Sequence, residues 1–101
     1  MGKAGLLREM ERYRLVAVLR SKTSEDALAT VRGIAEGGVR FAEITLTVPG
    51  AMSVIETLAK RNDLYVGAGT VLSTEQARQA ISAGAQFVVS PTLELNLIPI
   101  C

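Results

Sequence analysis

The chain has no histidine, a single cysteine at its last position (Cys101), and no run of Lys or Arg longer than two residues. Without histidine, a Ser-His-Asp or Cys-His triad and the common His-bearing zinc sites are excluded, and one cysteine cannot build a disulfide framework. Eleven basic residues are dispersed among ten acidic ones for a net charge of +1, so the electrostatic footprint of a nucleic-acid or anionic-lipid binder is missing. Long apolar runs are missing too. No segment approaches the roughly 20 apolar residues of a membrane-spanning helix, and residues 1–10 are interrupted by Lys3, Arg8 and Glu9, which leaves no signal-peptide core. The expectation is a cytoplasmic protein that uses neither metal nor cofactor and has neither nucleic acid nor membrane as a partner.

What is present reads as one globular domain over residues 1–101. The chain is 49% hydrophobic and 21% charged, and no Gly/Ser-rich or Pro-rich linker divides it. Four β-rich runs, Leu15 to Leu19, Phe41 to Leu46, Leu64 to Ala68 and Phe87 to Ser90, alternate with stretches of helical periodicity. Ala27, Leu28, Val31, Ile34 and Ala35 form one helical face, with Thr23 and Asp26 as a capping pair ahead of it and Gly37-Gly38 behind it. A second helix is expected to start at Pro49 and to present Ala51, Val54, Ile55 and Leu58. A third carries Ala77, Ala80 and Ile81, with Ser73 and Gln76 spaced as a capping box and Gly84 as its stop. Leu6, Leu7, Met10 and Tyr13 suggest a short helix before the first strand.

The strands are apolar on both faces rather than cleanly alternating, the pattern of a parallel sheet covered by helices. Gly38-Val39-Arg40-Phe41 and Gly84-Ala85-Gln86-Phe87 repeat one helix-to-strand junction at positions 38 and 84, so one βα unit takes about 23 residues. Eight such units would need roughly 200 residues, against roughly 250 for a common (β/α)8 barrel. Four units are expected here, the first half of a TIM-type barrel, with the chain stopping short of closure.

Glu43 stands inside the second apolar run. A buried carboxylate is costly unless it is paired or its pKa rises, so the position calls for a partner or for proton-transfer chemistry. Residues two apart on a strand share a face, which puts Phe41, Glu43 and Thr45 on one side and Ala42, Ile44 and Leu46 on the other. The ends of the other strands carry Arg20, Gly67-Ala68-Gly69-Thr70 and Ser90-Pro91, and in parallel α/β folds these carboxyl ends form the rim of the active site. Two readings stand side by side for each. Glu43 is a proton shuttle or a structural carboxylate paired with Arg20, and Arg20 is that partner or an anion ligand. Thr70 offers a hydroxyl or backbone group to a ligand or merely follows a turn, and Pro91 lines a site or ends a strand. A dinucleotide fingerprint fails because its third glycine position is Ser73. Lys3, Lys22 and Lys60 fall in a terminus, a loop and a helix surface, poor settings for a desolvated amine nucleophile.

Four strings, VAVLR (16–20), GGVRFAEITLTVPGA (37–51), VGAGTVL (66–72) and AGAQFVVSPTL (83–93), resemble in order and spacing the N-terminal half of the 2-keto-3-deoxy-6-phosphogluconate (KDPG) and 4-hydroxy-2-oxoglutarate (KHG) aldolase family. The resemblance implies a (β/α)8 barrel, usually trimeric, that cleaves a 2-keto-4-hydroxy acid into pyruvate and an aldehyde through a lysine Schiff base, without metal. It implies that Glu43 is the general acid/base and that Thr70 and Pro91 border the pyruvate-derived part of the substrate. Where the family's best-known members carry arginine this chain has Thr47, and Arg20 on the neighbouring strand is the expected substitute in substrate binding. The family's Schiff-base lysine on strand six and its phosphate loops after strands seven and eight have no counterpart in these residues. The chain alone is therefore expected to be inactive. The competing readings are another keto-acid lyase or isomerase on the same barrel, and a noncatalytic half-barrel fragment that associates.

Overall fold

The computed structural model describes residues 2–91 and 98–100; Cys101 and the Thr92-Leu93 end of the last resembling string lie outside them. Eight elements follow in strict alternation: α1 (Lys3–Tyr13), β1 (Ala17–Leu19), α2 (Ser24–Glu36), β2 (Phe41–Thr45), α3 (Ala51–Ala59), β3 (Tyr65–Gly69), α4 (Thr74–Ala83) and β4 (Phe87–Val88). The strands form one parallel sheet in the order β1-β2-β3-β4. Four consecutive parallel βα units are thus present, as the sequence pattern implies.

The helix ends show why the sequence punctuates where it does. The Thr23 hydroxyl accepts the Asp26 amide at 3.1 Å, and Ser73 accepts the Gln76 amide at 3.1 Å, each satisfying one amide at a helix start that has no intrahelical partner. The Gln76 side chain reaches back to the amide of Leu72, at 2.8 Å, rather than to that of Ser73. At the other ends, Gly38 (φ 99°) and Gly84 (φ 111°) take left-handed backbone, and the next amides bond five residues back, Val39 to Ile34 and Ala85 to Ala80. This is the Schellman arrangement, which a side chain at the glycine would strain. The repeated junction is therefore a repeated helix stop.

Each expected strand shifts at one end or both: β2 ends at Thr45 rather than Leu46, and β3 runs Tyr65–Gly69 rather than from Leu64 to Ala68. β1 starts at Ala17, because its pairing with β2 begins at Ala17↔Ala42, and Leu15 and Val16 stay exposed ahead of it. β4 is limited to Phe87 and Val88, where its register with β3 is Gly67↔Phe87 and Ala68↔Val88. Pro49 does not open α3: two tight turns, with Val48 N–H donating to Thr45 and Ala51 N–H to Val48, carry the chain out of β2, and left-handed Gly50 sets the helix start at Ala51.

The core lies between the sheet and α2, α3 and α4. Leu19, Ala42, Ile44, Val66 and Ala68 project from the strands onto Ala27, Val31, Val54, Ile55, Leu58, Ala77 and Ala80. The small alanines let the helices approach closely, and burial of the larger aliphatic side chains contributes about 1.5–3 kcal/mol each. α1 buries no residue fully; its Leu6, Leu7 and Met10 line a cavity of about 450 Å³ against Phe87, Val88 and Ile98.

Candidate active site

The face of β2 turned away from the helices carries Phe41, Glu43 and Thr45, all buried. Period-two alternation puts them together, and the packing of Ala42 and Ile44 into the helix-facing core decides which face is which. In the register across the sheet, Val18, Glu43, Gly67 and Phe87 lie side by side, with Phe41 beside Tyr65 and Thr45 beside Gly69. Phe41 stacks on Tyr65 at 4.6 Å between ring centres and meets Phe87 at 6.1 Å. An aromatic floor thus lies toward the amino ends of the strands.

Glu43 is 6% exposed. Its carboxyl group does not stand straight above its register partner Gly67 but leans along the sheet over Gly69, where a Cβ would come within 2.5 Å of Glu43 Cδ and 2.6 Å of Oε1. The corresponding place over Gly67 is taken by the Phe87 ring, 2.3 Å from where a Cβ would be. Desolvation by these surroundings pushes the Glu43 pKa up from its ordinary 4.5, and the positive charge of Arg20 pulls it partly back. Arg20 is exposed one residue beyond β1, and no ion pair joins it to Glu43 among the described residues. The structural alternative, a carboxylate held by Arg20, is therefore not what the fold builds.

The other expected site residues lie where their strands end. Thr47 is exposed in the turn after β2, Thr70 is half-buried directly after β3, and Pro91 is exposed after β4. With every strand parallel, Arg20, Thr47, Thr70 and Pro91 come to the same carboxyl end of the sheet, toward which Glu43 leans. None of the four hydrogen-bonds to Glu43 among the described residues. Thr45, read from sequence as half of a polar pair with Glu43, is otherwise engaged: its hydroxyl donates to the Leu19 carbonyl at 2.8 Å.

Two features escape a reading of the sequence. Thr70 has φ 57°, a left-handed conformation that is strained for a β-branched residue and is met at functional sites more than elsewhere. At Gly67 and Gly69 the bare backbone is covered by side chains, Phe87 from one neighbouring strand and Glu43 from the other. Only the folded sheet reveals that, since the register alone would set Glu43 beside Gly67. No cluster of three or more His, Cys, Asp or Glu side chains suited to a metal occurs among the described residues.

Four parallel βα units with an acid on the face away from the helices, and the strand ends gathered at one rim, are the arrangement of part of a (β/α) barrel. The family model for KDPG and KHG aldolase matches residues 7–101, and the chain belongs to that family. It is 40% identical over 93 residues to the 2-dehydro-3-deoxy-phosphogluconate aldolase of Treponema pallidum, a match covering 91% of this chain and 44% of the relative. It is 40% identical over 85 residues to the KHG/KDPG aldolase of Escherichia coli, covering 83% and 40%. Among solved structures, the KDPG aldolase of Legionella pneumophila, with pyruvate captured at low pH as a covalent carbinolamine intermediate, superposes with a TM-score of 0.75 at 34% identity, covering 83% of this chain and 41% of that one. The chain spans less than half the length of these relatives. No described helix is long and apolar enough to cross a membrane.

Proposed function

We propose that this chain contributes the proton-transfer side of a class I aldolase that cleaves 2-keto-3-deoxy-6-phosphogluconate or 4-hydroxy-2-oxoglutarate to pyruvate and an aldehyde. The observation that carries the reading is Glu43, a desolvated carboxyl lying on the face away from the helices and leaning toward the rim. A carboxyl whose pKa is raised toward working pH both gives and accepts protons efficiently.

The chemistry requires an amine that condenses with the substrate ketone. Attack of the amine on C2 gives a carbinolamine; Glu43 supplies the proton with which its hydroxyl leaves as water, forming the iminium. Glu43, now a carboxylate, takes the proton from the C4 hydroxyl as the C3–C4 bond breaks. The aldehyde leaves, the bonding electrons pass into the enamine, and Glu43 returns its proton to C3. Water then releases pyruvate from the iminium and frees the amine.

Thr70 and Pro91 border the pyruvate-derived portion in this reading, and Arg20 and Thr47 face the substrate's anionic groups from the rim. The amine is none of the three lysines here: Lys3 is in α1, Lys22 is exposed between β1 and α2, and Lys60 caps α3 on the surface. It comes from a complementary barrel segment.

The test joins this chain to the carboxyl-terminal half of the E. coli relative and measures pyruvate release. Cleavage activity is expected, with Glu43→Gln lowering kcat by about 10²–10⁴-fold. Pyruvate with borohydride is expected to leave the mass of the 101-residue chain unchanged and to add one pyruvate-derived unit to the joined protein. Unchanged turnover in Glu43→Gln rejects the role of Glu43, and an adduct on the chain alone rejects the assignment of the amine.

A further inference from the structure

On the face away from the helices, β3 presents bare backbone at two successive places, Gly67 and Gly69, and each is covered from a different side. Phe87 of β4 lies over Gly67, and Glu43 of β2 lies over Gly69. Strand side chains stand roughly perpendicular to the sheet and lean along it, so a residue such as Glu43, paired with Gly67, has two places open to it over β3. The ring of Phe87 takes the nearer one. The farther one is free because position 69 has no Cβ: a methyl group there would fall 2.5–2.8 Å from Cγ, Cδ and Oε1 of Glu43, well inside van der Waals contact.

We infer that Gly69 is a positioning residue for Glu43, keeping the place next to Thr70 bare so that the carboxyl group lies across β3 toward the carboxyl ends of the strands. Gly67 assists by seating the Phe87 ring, which blocks the other direction. Both glycines act through another side chain, Gly69 through Glu43 and Gly67 through Phe87. Gly69 is not in left-handed backbone, so a methyl there meets Glu43 without straining the main chain.

The groups around the carboxyl are few. β1 presents Val18, and just beyond its end lies the charge of Arg20; β2 itself presents Phe41 and Thr45; β3 presents Gly67, Gly69 and, beside Phe41, Tyr65; β4 presents Phe87. Displacing the carboxyl from Gly69 moves it out of its covered place toward the open face of the sheet and its solvent.

The experiment is a carboxyl-detected NMR pH titration of the 101-residue chain labelled at the glutamate δ-carbon. Wild type is expected to titrate above the ordinary 4.5 at Glu43, and Gly69→Ala to lose that upward shift while the amide spectrum stays folded. A folded Gly69→Ala protein whose Glu43 titrates as in wild type overturns the inference. Where Gly69→Ala prevents folding, the double variant Glu43→Ala with Gly69→Ala is expected to fold, because the atoms the methyl meets are gone; failure of the double variant also overturns it. The inference rests on the aldolase reading only for its significance. Loss of the shift alongside unchanged turnover in Glu43→Gln rejects the aldolase role and leaves the positioning intact, and the reverse pair rejects the positioning alone.

Discussion

The Thr45 hydroxyl donates a 2.8 Å hydrogen bond to the main-chain carbonyl of Leu19, tying β2 to the carboxyl end of β1 beside the acid. Thr45 is 1% exposed, so the bond is made away from water and the donor is not available to Glu43. Glu43, the other polar residue of the β2 inner face, makes no side-chain hydrogen bond among the described residues.

Thr45→Val keeps the shape and removes the side-chain hydrogen bond to the Leu19 carbonyl. The expected loss is about 0.5–1.5 kcal/mol, read as a lower denaturant midpoint with an unchanged slope. An unaltered midpoint shows that the bond contributes nothing net.

The raised pKa of Glu43 makes a signed prediction about stability. The folded chain holds this proton more tightly than the unfolded chain, so between the two pKa values the folded state binds more protons and stability falls as pH rises. Below the unfolded value the penalty is absent, and above the folded value it is complete. Glu43→Gln is therefore expected to be more stable than wild type at neutral pH, with the difference closing as pH drops below about 4.5. Asp63, held below its usual range first by its hydrogen bonds from Arg61, has the opposite dependence, but both proteins carry it and it cancels. Thermal midpoints from roughly pH 3 to roughly pH 8 measure the difference; a gap that widens toward acid contradicts the sign.

Thr70 sits in left-handed backbone with φ 57°. That conformation costs an L-residue roughly 1–2 kcal/mol, and no hydrogen bond of the Thr70 side chain offsets it among the described residues. Thr70→Gly is expected to hold or raise stability by up to about 1 kcal/mol, the gain being reduced by the extra freedom of glycine in the unfolded chain. In the joined barrel the same change is expected to raise KM for the keto acid. A destabilised variant with unaltered KM assigns Thr70 to structure instead.

In the order β1-β2-β3-β4 the strands β1 and β4 stand at the two edges, and Val18 of β1 is 56% exposed on the Glu43 face. Strand edges without a partner strand among the described residues, and an exposed apolar side chain beside one of them, favour pairing with another chain. Sedimentation of the 101-residue polypeptide is expected to show association that Val18→Lys weakens. A folded monomer that stays monomeric as concentration rises contradicts this.

Much of the fold was legible because the forces that shape it act within one segment. Thr23 and Ser73 cap helices because their hydroxyls reach amides three residues on, and Gly38 and Gly84 stop helices because left-handed backbone excludes most side chains. The start of α3 was not legible, since Pro49 suits a first helical turn as well as the double turn that leaves β2.

The amino-acid sequence by itself determined the alternation of strand and helix, and it put Glu43 on the same side of its strand as Phe41 and Thr45, because side chains on a strand repeat every two residues. Only the tertiary structure decided that this side faces away from the helices, that Arg20 stays apart from the acid, that Thr45 is bonded to Leu19, and that the carboxyl lies over Gly69 rather than Gly67. Each of these depends on strand register together with side-chain packing between segments far apart in the chain, which no local periodicity encodes.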